Sequence, residues 1–581
     1  MDKLEYDIVI LGTGLGGMRA ALEATKKSGS KLRIALISKI HAMRSHSVAA
    51  EGGISGVLYP DKNKDSFELH AYDTIKGSDY LADQDAVEML VRNAPHEIRL
   101  LEHLGVPWNR DKDGEIQFRA FGGMSTPRTA FAADKTGFFM LNSIYDTLLR
   151  FDNIDVFHEY YATKMLLDKG VFKGFYVIDL ATGNRKLIVA RQGIIATGGA
   201  ARVYEFTTTS YSSTGDGLGL AYREGLPLKD MEFVQFHPTA LVPSGILISE
   251  AARGEGGYLL NSKNERFMAN YAKTKMELAP RDIVSRAIMT EIEEGRGIKD
   301  PTSGMDYVLL DLRHLEQKIL DEKLPMIREI AIKMLKIDPA YEPLPIRPAS
   351  HFTMGGIASN KEAGVLYTKK KQVRGLWAAG ECGSVSVHGA NRLGSNSLSE
   401  CIIWGRIAGE AAAKSALKTR GLSAVDKWLE RAVTDEDMRI SKLLDSHGEH
   451  NPYQIRKELW RTMEENVHVF RNKQRLTKAK KKLKELTARF SNIYVGDKGN
   501  IYNTNLRDVF ELENMLNLSA VITECALNRT ESRGGHWRTD YPSRNDKRWL
   551  KHTLAFKSAK GIRLDYLPVK ITKWKPEIRK Y

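Results

Sequence analysis

The feature that most constrains this chain is its opening. Residues 7–11 (DIVIL) form a short β-branched run, followed by Gly12-Thr13-Gly14-Leu15-Gly16-Gly17, the helical stretch MRAALEATKK and a second strand at KLRIALIS. Strand, GxGxxG turn, helix and strand predict a βαβ unit that cradles a dinucleotide. Gly12, Gly14 and Gly17 permit the tight turn and close backbone approach, and the helix N-terminus faces a pyrophosphate. The second strand ends at Ser38-Lys39, where a simple nicotinamide dehydrogenase usually places an acid for the ribose. That departure argues against generic NAD binding and leaves Ser38 and Lys39 as candidate contacts to a different dinucleotide.

At 581 residues the chain is too long for one compact core, so several domains are expected. The strands in RQGIIATGG near 191–199 and GLWAAGE at 375–381 each run into a small-residue turn, as in flavoproteins that complete an FAD pocket with late segments. The expected fold is α/β: a doubly wound Rossmann-like FAD-binding domain in two parts, 1–236 and 352–415, with an inserted α+β capping domain at 237–351. A helical domain at 416–530 and a small C-terminal domain at 531–581 follow. In the helical part Leu459, Met463, Val467 and Phe470 form one apolar stripe, and Leu512, Leu516 and Ala520 another.

Hydrophobic residues at 42% and charged residues at 27% fit a soluble globular protein. No run of about 18 apolar residues exists to span a bilayer, and the start MDKLEYDIVIL reads as a mature cytosolic one. The three cysteines, Cys382, Cys401 and Cys525, form no CxxC pair and cannot supply the thiolates of an iron–sulfur cluster. No metal site is predicted, and electrons leaving through iron–sulfur centres would require another polypeptide. The net charge of +15 and pI near 9.3 owe much to RNKQRLTKAKKKLKELTARF. There Ala479, Leu483, Leu486 and Phe490 recur at helical spacing, which predicts an amphipathic helix with a solvated basic face rather than a nucleic-acid site.

Several longer segments carry a resemblance: MRSHSVAAEGGISG, TGDGLGLAYREG, QFHPTALVPSG, SEAARGEGGYLLN, ELAPRDIVSRAI, HFTMGGI, HGANRLGSNSLSECIIWGR and ESRGGHWRTDYPSRNDKRWLKHTL. In order and spacing, over essentially the full length, the chain resembles the flavoprotein subunit of succinate dehydrogenases and fumarate reductases, the respiratory complex II family. The resemblance implies covalent attachment of FAD to His46, with Gly52 and Gly53 letting the chain pass close to the flavin ring. It implies cofactor contacts from Asp216, Glu381, Ser397 and Leu398, and dicarboxylate contacts from His237, Ser249, His351 and Arg392. A four-carbon dianion needs donors at both ends, because burying an unpaired carboxylate is costly. Many relatives have Thr where this chain has Ser249, and the hydroxyl survives that change.

The same resemblance makes Arg281 the group that exchanges a proton with the substrate carbon, with Glu250 and Arg253 as its relay. A guanidinium rarely deprotonates, so the bare residues would read Arg281 as one more carboxylate clamp. Clustered guanidinium groups lower one another's proton affinity by repulsion. The implied reaction is oxidation of succinate to fumarate, or the reverse. Electrons would pass to an iron–sulfur subunit and a quinone, on the cytoplasmic face of the cell membrane and through membrane-anchor subunits. L-aspartate oxidase shares many of these motifs but lacks the flavin-linking histidine and carries an acid toward the substrate amine. Here His46 is present and the corresponding segment, FGGMS, has Met124, where Gln is common in the family. A non-catalytic scaffold need not keep a dicarboxylate site, and a soluble NAD-coupled fumarate reductase would need a nicotinamide domain that is not visible in this length.

Overall fold

The computed structural model describes residues 2–419, 421 and 426–580. Its centre is an eight-stranded sheet whose parallel core runs Gln372–Ala378, Arg185–Ile195, Asp2–Leu11, Ile34–Ser38, Ile154–His158. Parallel strands are covered on both faces, and Ile8, Val9 and Ile10 in the middle strand are fully buried. The hairpin Tyr160–Asp168 and Val171–Asp179 adds antiparallel pairing. Because the core strands are parallel, Leu11, Ser38, Ile195 and Ala378 all end at the same edge. The turns that follow them therefore converge, as ligand-binding loops do in open α/β sheets.

The helix Leu15–Ser28 starts at Gly14 and ends at left-handed Gly29. It packs against Asn396–Lys418, where a Cβ on Gly409 would lie 2.3 Å from the Ala20 carbonyl oxygen. The late segment thereby closes onto the first helix and completes the layer behind the nucleotide turn. Val234–Leu241, Leu344–Thr353, Asp306–Asp311 and Tyr258–Leu260 form a second, antiparallel sheet with its own apolar cluster, including Leu241, Leu259, Ile288 and Leu310. The helix Arg281–Glu293 packs on this sheet.

The later helices are Lys427–Leu444, Pro452–Asn466, Lys473–Phe490 and Thr504–Asn528. In Lys473–Phe490 the apolar Ala479, Leu483 and Leu486 are buried while Lys478, Lys480, Lys481 and Lys484 are exposed. The Leu459–Phe470 stripe is corrected. Its helix stops at Asn466, and Phe470 lies in a short strand beside Trp537, because this stretch turns away to pair with the C-terminal region. The final hairpin, Lys551–Ser558 and Gly561–Pro568, extends a sheet containing Leu228–Lys229. No helix among the described residues is long and apolar enough to cross a membrane.

Candidate active site

The convergent turns enclose one elongated cavity. Gly12, Gly14, Ser38, Lys39, Asp216 and Glu381 line it, as do His46, Gly52, Gly53, Ser397 and Leu398. Gly17 does not line it: a Cβ there would sit 1.9 Å from the Gly12 carbonyl oxygen, so this glycine serves helix–strand packing, the third role of the fingerprint. The cavity suits a polar dinucleotide. Thr13 Oγ1, Ser45 Oγ, Glu51 Oε2 and Ser395 Oγ are buried without protein partners, and all four residues line it. Buried polar atoms left unpaired are costly, so these orphans fit hydrogen bonds to FAD.

Lys39 Nζ lies 2.6 Å from Asp216 Oδ2 and 2.6 Å from Glu511 Oε1, which fixes the second-strand turn across the cavity. Asp216 also accepts from Tyr161 Oη at 3.1 Å and Asn514 Nδ2 at 3.0 Å. Glu381 is pushed up to about 7 by burial, and its Oε1 accepts the Thr353 amide at 2.9 Å. His46 sits on a short helical turn, His46–Ala49, and its Nδ1 accepts the Ser210 amide at 3.3 Å. Burial lowers its imidazole to about 4, so at neutral pH it is an uncharged nitrogen base at the cavity wall.

At the other end the same cavity is walled by His237, Ser249, Glu250, Arg281, His351 and Arg392. The two histidine rings lie 4.9 Å apart. His237 Nδ1 accepts the Thr239 amide at 3.2 Å, so its neutral ring carries the proton on Nε2. His351 Nδ1 lies 2.6 Å from Thr208 Oγ1. Burial, then the field of Arg281 and its neighbours, holds His237 well below the ordinary imidazole value; for His351, burial and then His237 do the same. Both rings are therefore neutral, and His237 presents an N–H donor that needs no counter-ion.

Arg281 opens the helix Arg281–Glu293. Its Nε donates to Glu250 Oε2 at 2.7 Å and its Nη1 to Gln235 Oε1 at 3.1 Å. Arg253 stands behind Glu250, with Nη2 3.7 Å from Glu250 Oε1 and Nη1 donating to the Glu277 carbonyl. Arg253 does not line the cavity, and the row Arg281–Glu250–Arg253 therefore runs from the cavity inward. Arg392 is pushed down to about 9 by burial and by Arg281; its Nη1 donates to Ser397 Oγ at 3.0 Å.

Three neighbours escaped the sequence reading. Gly122 donates its amide to Glu250 Oε1 at 2.7 Å, and a Cβ there would clash with that oxygen at 2.5 Å. Gln235 holds both Arg281 and the Arg392 carbonyl. Phe121 packs against Gly52, with a ring carbon 3.1 Å from the site of a Cβ. Only FGGMS and QFHPT offered a signal, and neither assigns a role to a glycine, a glutamine or a phenylalanine.

A sequence model for the FAD binding domain matches residues 7–398, and one for the fumarate reductase flavoprotein C-terminus matches residues 456–581. The fumarate reductase flavoprotein subunit of a Serratia species is 43% identical, covering 100% of this chain and 97% of the relative. The succinate dehydrogenase flavoprotein subunit of Rickettsia bellii is 41% identical, covering 99% and 97%. Among solved structures, an E. coli quinol fumarate reductase flavoprotein variant superimposes with a TM-score of 0.95 at 42% identity, covering 100% of this chain and 99% of that one. A quinol-fumarate reductase with menaquinol molecules gives 0.94 at 42% identity, covering 99% and 100%.

Proposed function

Because the chain belongs to the flavoprotein-subunit family of fumarate reductases and succinate dehydrogenases, we propose that it holds a four-carbon dicarboxylate beside FAD and oxidises succinate to fumarate. The observation that carries this reading is the far end of the cavity, where Arg281, Arg392 and two neutral histidines face a common space adjoining the dinucleotide cradle. FAD supplies the two-electron acceptor there.

The chain's own residues bind, orient and move a proton. Arg392 and His351 take one carboxylate, and His237 and Ser249 the other. Charge-assisted hydrogen bonds of this kind fix the substrate's register. Glu250 and Gln235 occupy Nε and Nη1 of Arg281, so Nη2 holds the proton that exchanges with the substrate carbon. Glu250 and Arg253 refill or empty it. Glu250 stays ionised because Arg281 and Arg253 outweigh its burial. The insertion carrying Arg281 and His237 covers the substrate and excludes water.

FAD is held covalently through His46, whose neutral imidazole lies where the flavin end of the cradle meets the substrate end. Electrons leave to an iron–sulfur subunit and then a quinone, with the chain attached peripherally to membrane-anchor subunits on the cytoplasmic face. The three dispersed cysteines and the quinol-linked relatives support that assignment. Reduction of fumarate at the same residues is the second reading, favoured by relatives named fumarate reductase at 42–43% identity. Denaturing electrophoresis with in-gel flavin fluorescence tests the attachment. A fluorescent band that vanishes in His46→Ser is expected, and a dark wild-type band from FAD-loaded protein removes the covalent link. Succinate-to-quinone and quinol-to-fumarate turnover of the assembled complex then decides the direction.

A further inference from the structure

We infer that Arg579, almost three hundred residues from the catalytic arginine in sequence, is a positioning residue for Arg281. It bridges Asp79 and Asp282 and so seats the first turn of the helix Arg281–Glu293. The inference rests on the proton-transfer role proposed for Arg281.

The path that delivers Arg579 is fixed by hydrogen bonds. After the strand Gly561–Pro568 the chain leaves its sheet, and the Lys570 amide donates to Asp83 Oδ1 at 2.7 Å. Gln84 Oε1 then accepts the amides of Thr572, Lys573 and Trp574 at 3.0, 2.8 and 3.1 Å, while its Nε2 donates to the Trp574 carbonyl at 2.6 Å. One glutamine side chain thereby satisfies three successive amides of a backbone bend. Trp574 packs against the core behind the first helix. The segment is a strap, tied down over Lys570–Trp574 and again at Arg579 near its far end.

There the Arg579 guanidinium meets two buried carboxylates. Nη2 lies 2.7 Å from Asp282 Oδ2 and 3.2 Å from Asp79 Oδ2. Asp282 follows Arg281 directly and belongs to the same first helical turn. Asp79 belongs to the nucleotide-binding part and is itself anchored, accepting the Gly534 amide at 2.9 Å and Arg544 Nη1 at 2.8 Å. Arg579 thus ties the turn that carries Arg281 to a fixed point outside the insertion. A second tie lies one turn further on, where Arg286 donates to the Gly534 carbonyl at 3.1 Å and covers the Trp537 ring at 4.5 Å.

Removing the guanidinium leaves Asp79 and Asp282 facing each other, buried, with like charge. Asp282 keeps Arg286, at 3.2 Å, and Asp79 keeps Arg544, at 2.8 Å, but the cation that meets both carboxylates is gone and their like charges repel. The relief available is movement of the first turn away from Asp79, which carries Arg281 off its hydrogen bonds to Glu250 and Gln235. A shift near 1 Å at a reacting group costs up to roughly a hundredfold in rate. Lysine at 579 restores the charge, and one ammonium can stand where Nη2 alone now meets both carboxylates, losing the longer Nη1 contact to Asp282.

The test uses flavin-loaded protein with a reduced viologen as electron donor to fumarate. R579A is expected to lower kcat by roughly 10- to 100-fold while KM and flavin content stay near wild type, and R579K is expected to recover most of the loss. Hydrogen exchange across residues 280–290 is expected to quicken in R579A. Wild-type kcat with unchanged exchange in R579A overturns the inference. So does a loss of kcat in R579A that leaves exchange across residues 280–290 at the wild-type rate, because the effect then does not pass through this helix. If wild-type protein turns over neither fumarate nor succinate, the proposed function fails. The exchange measurement then still decides whether Arg579 seats this helix.

Discussion

Two buried arginine clusters in this molecule are built on opposite terms. In the C-terminal region Arg529 donates to Glu232, Glu531, the Trp549 and Lys551 carbonyls and Thr553. Arg533 likewise reaches both oxygens of Glu531, Asp546 and the Asp79 carbonyl. Around the cavity, buried arginines are left short. Arg253 Nε and Nη2 and Arg392 Nε have no hydrogen-bond partners, and Arg392 is held down to about 9 by burial and by Arg281. Arg529 is equally buried, yet Glu232 and Glu531 hold its proton more firmly than usual. The difference is one of pairing: saturated guanidinium groups fasten chain segments, whereas the under-paired ones at and behind the cavity, with Arg392 at its wall, suit the ligand and proton roles proposed for them.

The sharpest way to break this contrast is to remove one arginine function and one carboxylate function and compare rate with stability. Arg281→Ala is expected to lower turnover by roughly 10²- to 10⁴-fold, the usual weight of a positioned proton donor, with little change in the thermal midpoint. Glu250 still has Arg253 and the Gly122 amide as partners, so no carboxylate is stranded. A large fall in the midpoint would show that the site arginines are fasteners too. Glu531→Ala should do the reverse. It leaves Arg529 and Arg533 without a shared carboxylate that now lies 2.9 and 2.8 Å away. Breaking a buried pair costs about 3–5 kcal/mol, and although Arg529 keeps Glu232 and Arg533 keeps Asp546, the loss is to be read as a lower denaturation midpoint or insoluble protein.

Histidines sharpen the comparison through pH. His552 lies 2.6 Å from Asp230 Oδ2 and 3.2 Å from Asp83 Oδ1. Burial opposes its charge, but the two carboxylates prevail and raise it from 6.5 to about 9. The folded state therefore binds a proton that the unfolded state has released between those values. Its stabilisation is full below about pH 6.5 and is lost as pH rises through about 9, amounting to roughly 3 kcal/mol. His46 is shifted the other way, to about 4, so it lowers stability as pH falls from 6.5 toward 4. Thermal midpoints measured from pH 6 to 10 should fall on the alkaline side in wild type and flatten in His552→Asn. An unchanged alkaline limb in that variant would remove His552 as its cause.

The nucleotide cradle was legible because its signals are local. A continuous β-branched run, glycines at fixed offsets and a helix start all fall within residues 7–28, and the parallel strands ending at Ile195 and Ala378 repeat the run and small-residue turn. The row Arg281–Glu250–Arg253, proposed for proton transfer, was legible only as motifs, because Glu250 and Arg281 are 31 residues apart and nothing in either segment states that they touch. Gly122 was missed for the same reason at greater range: it meets Glu250 across 128 residues, and its glycine signal looks like any turn. Arg579 reads as one basic residue in a basic tail. Its partners follow from a path that Gln84 fixes through hydrogen bonds, which leave no periodicity in the sequence. The helix ending at Asn466 was overrun because apolar spacing continues through Val467 to Phe470 although the backbone has turned away to pair with Trp537.

The smallest expected effect separates shape from chemistry at Ser249. This side chain is buried at the cavity wall, and its Oγ accepts the Ala251 amide at 3.3 Å, which orients the hydroxyl proton away from the backbone and toward a ligand. A hydrogen bond to a charged group contributes about 1.5–3 kcal/mol, so Ser249→Ala is expected to raise KM for the dicarboxylate by roughly 10- to 100-fold with kcat nearly constant. Ser249→Thr keeps the hydroxyl and adds one methyl, and its KM should stay within a few-fold of wild type. If threonine is as damaging as alanine, the wall is set by volume, and the hydroxyl does not bind the carboxylate. If alanine is silent, the second carboxylate is carried by His237 alone, and the under-paired end of the cavity has fewer working donors than its geometry offers.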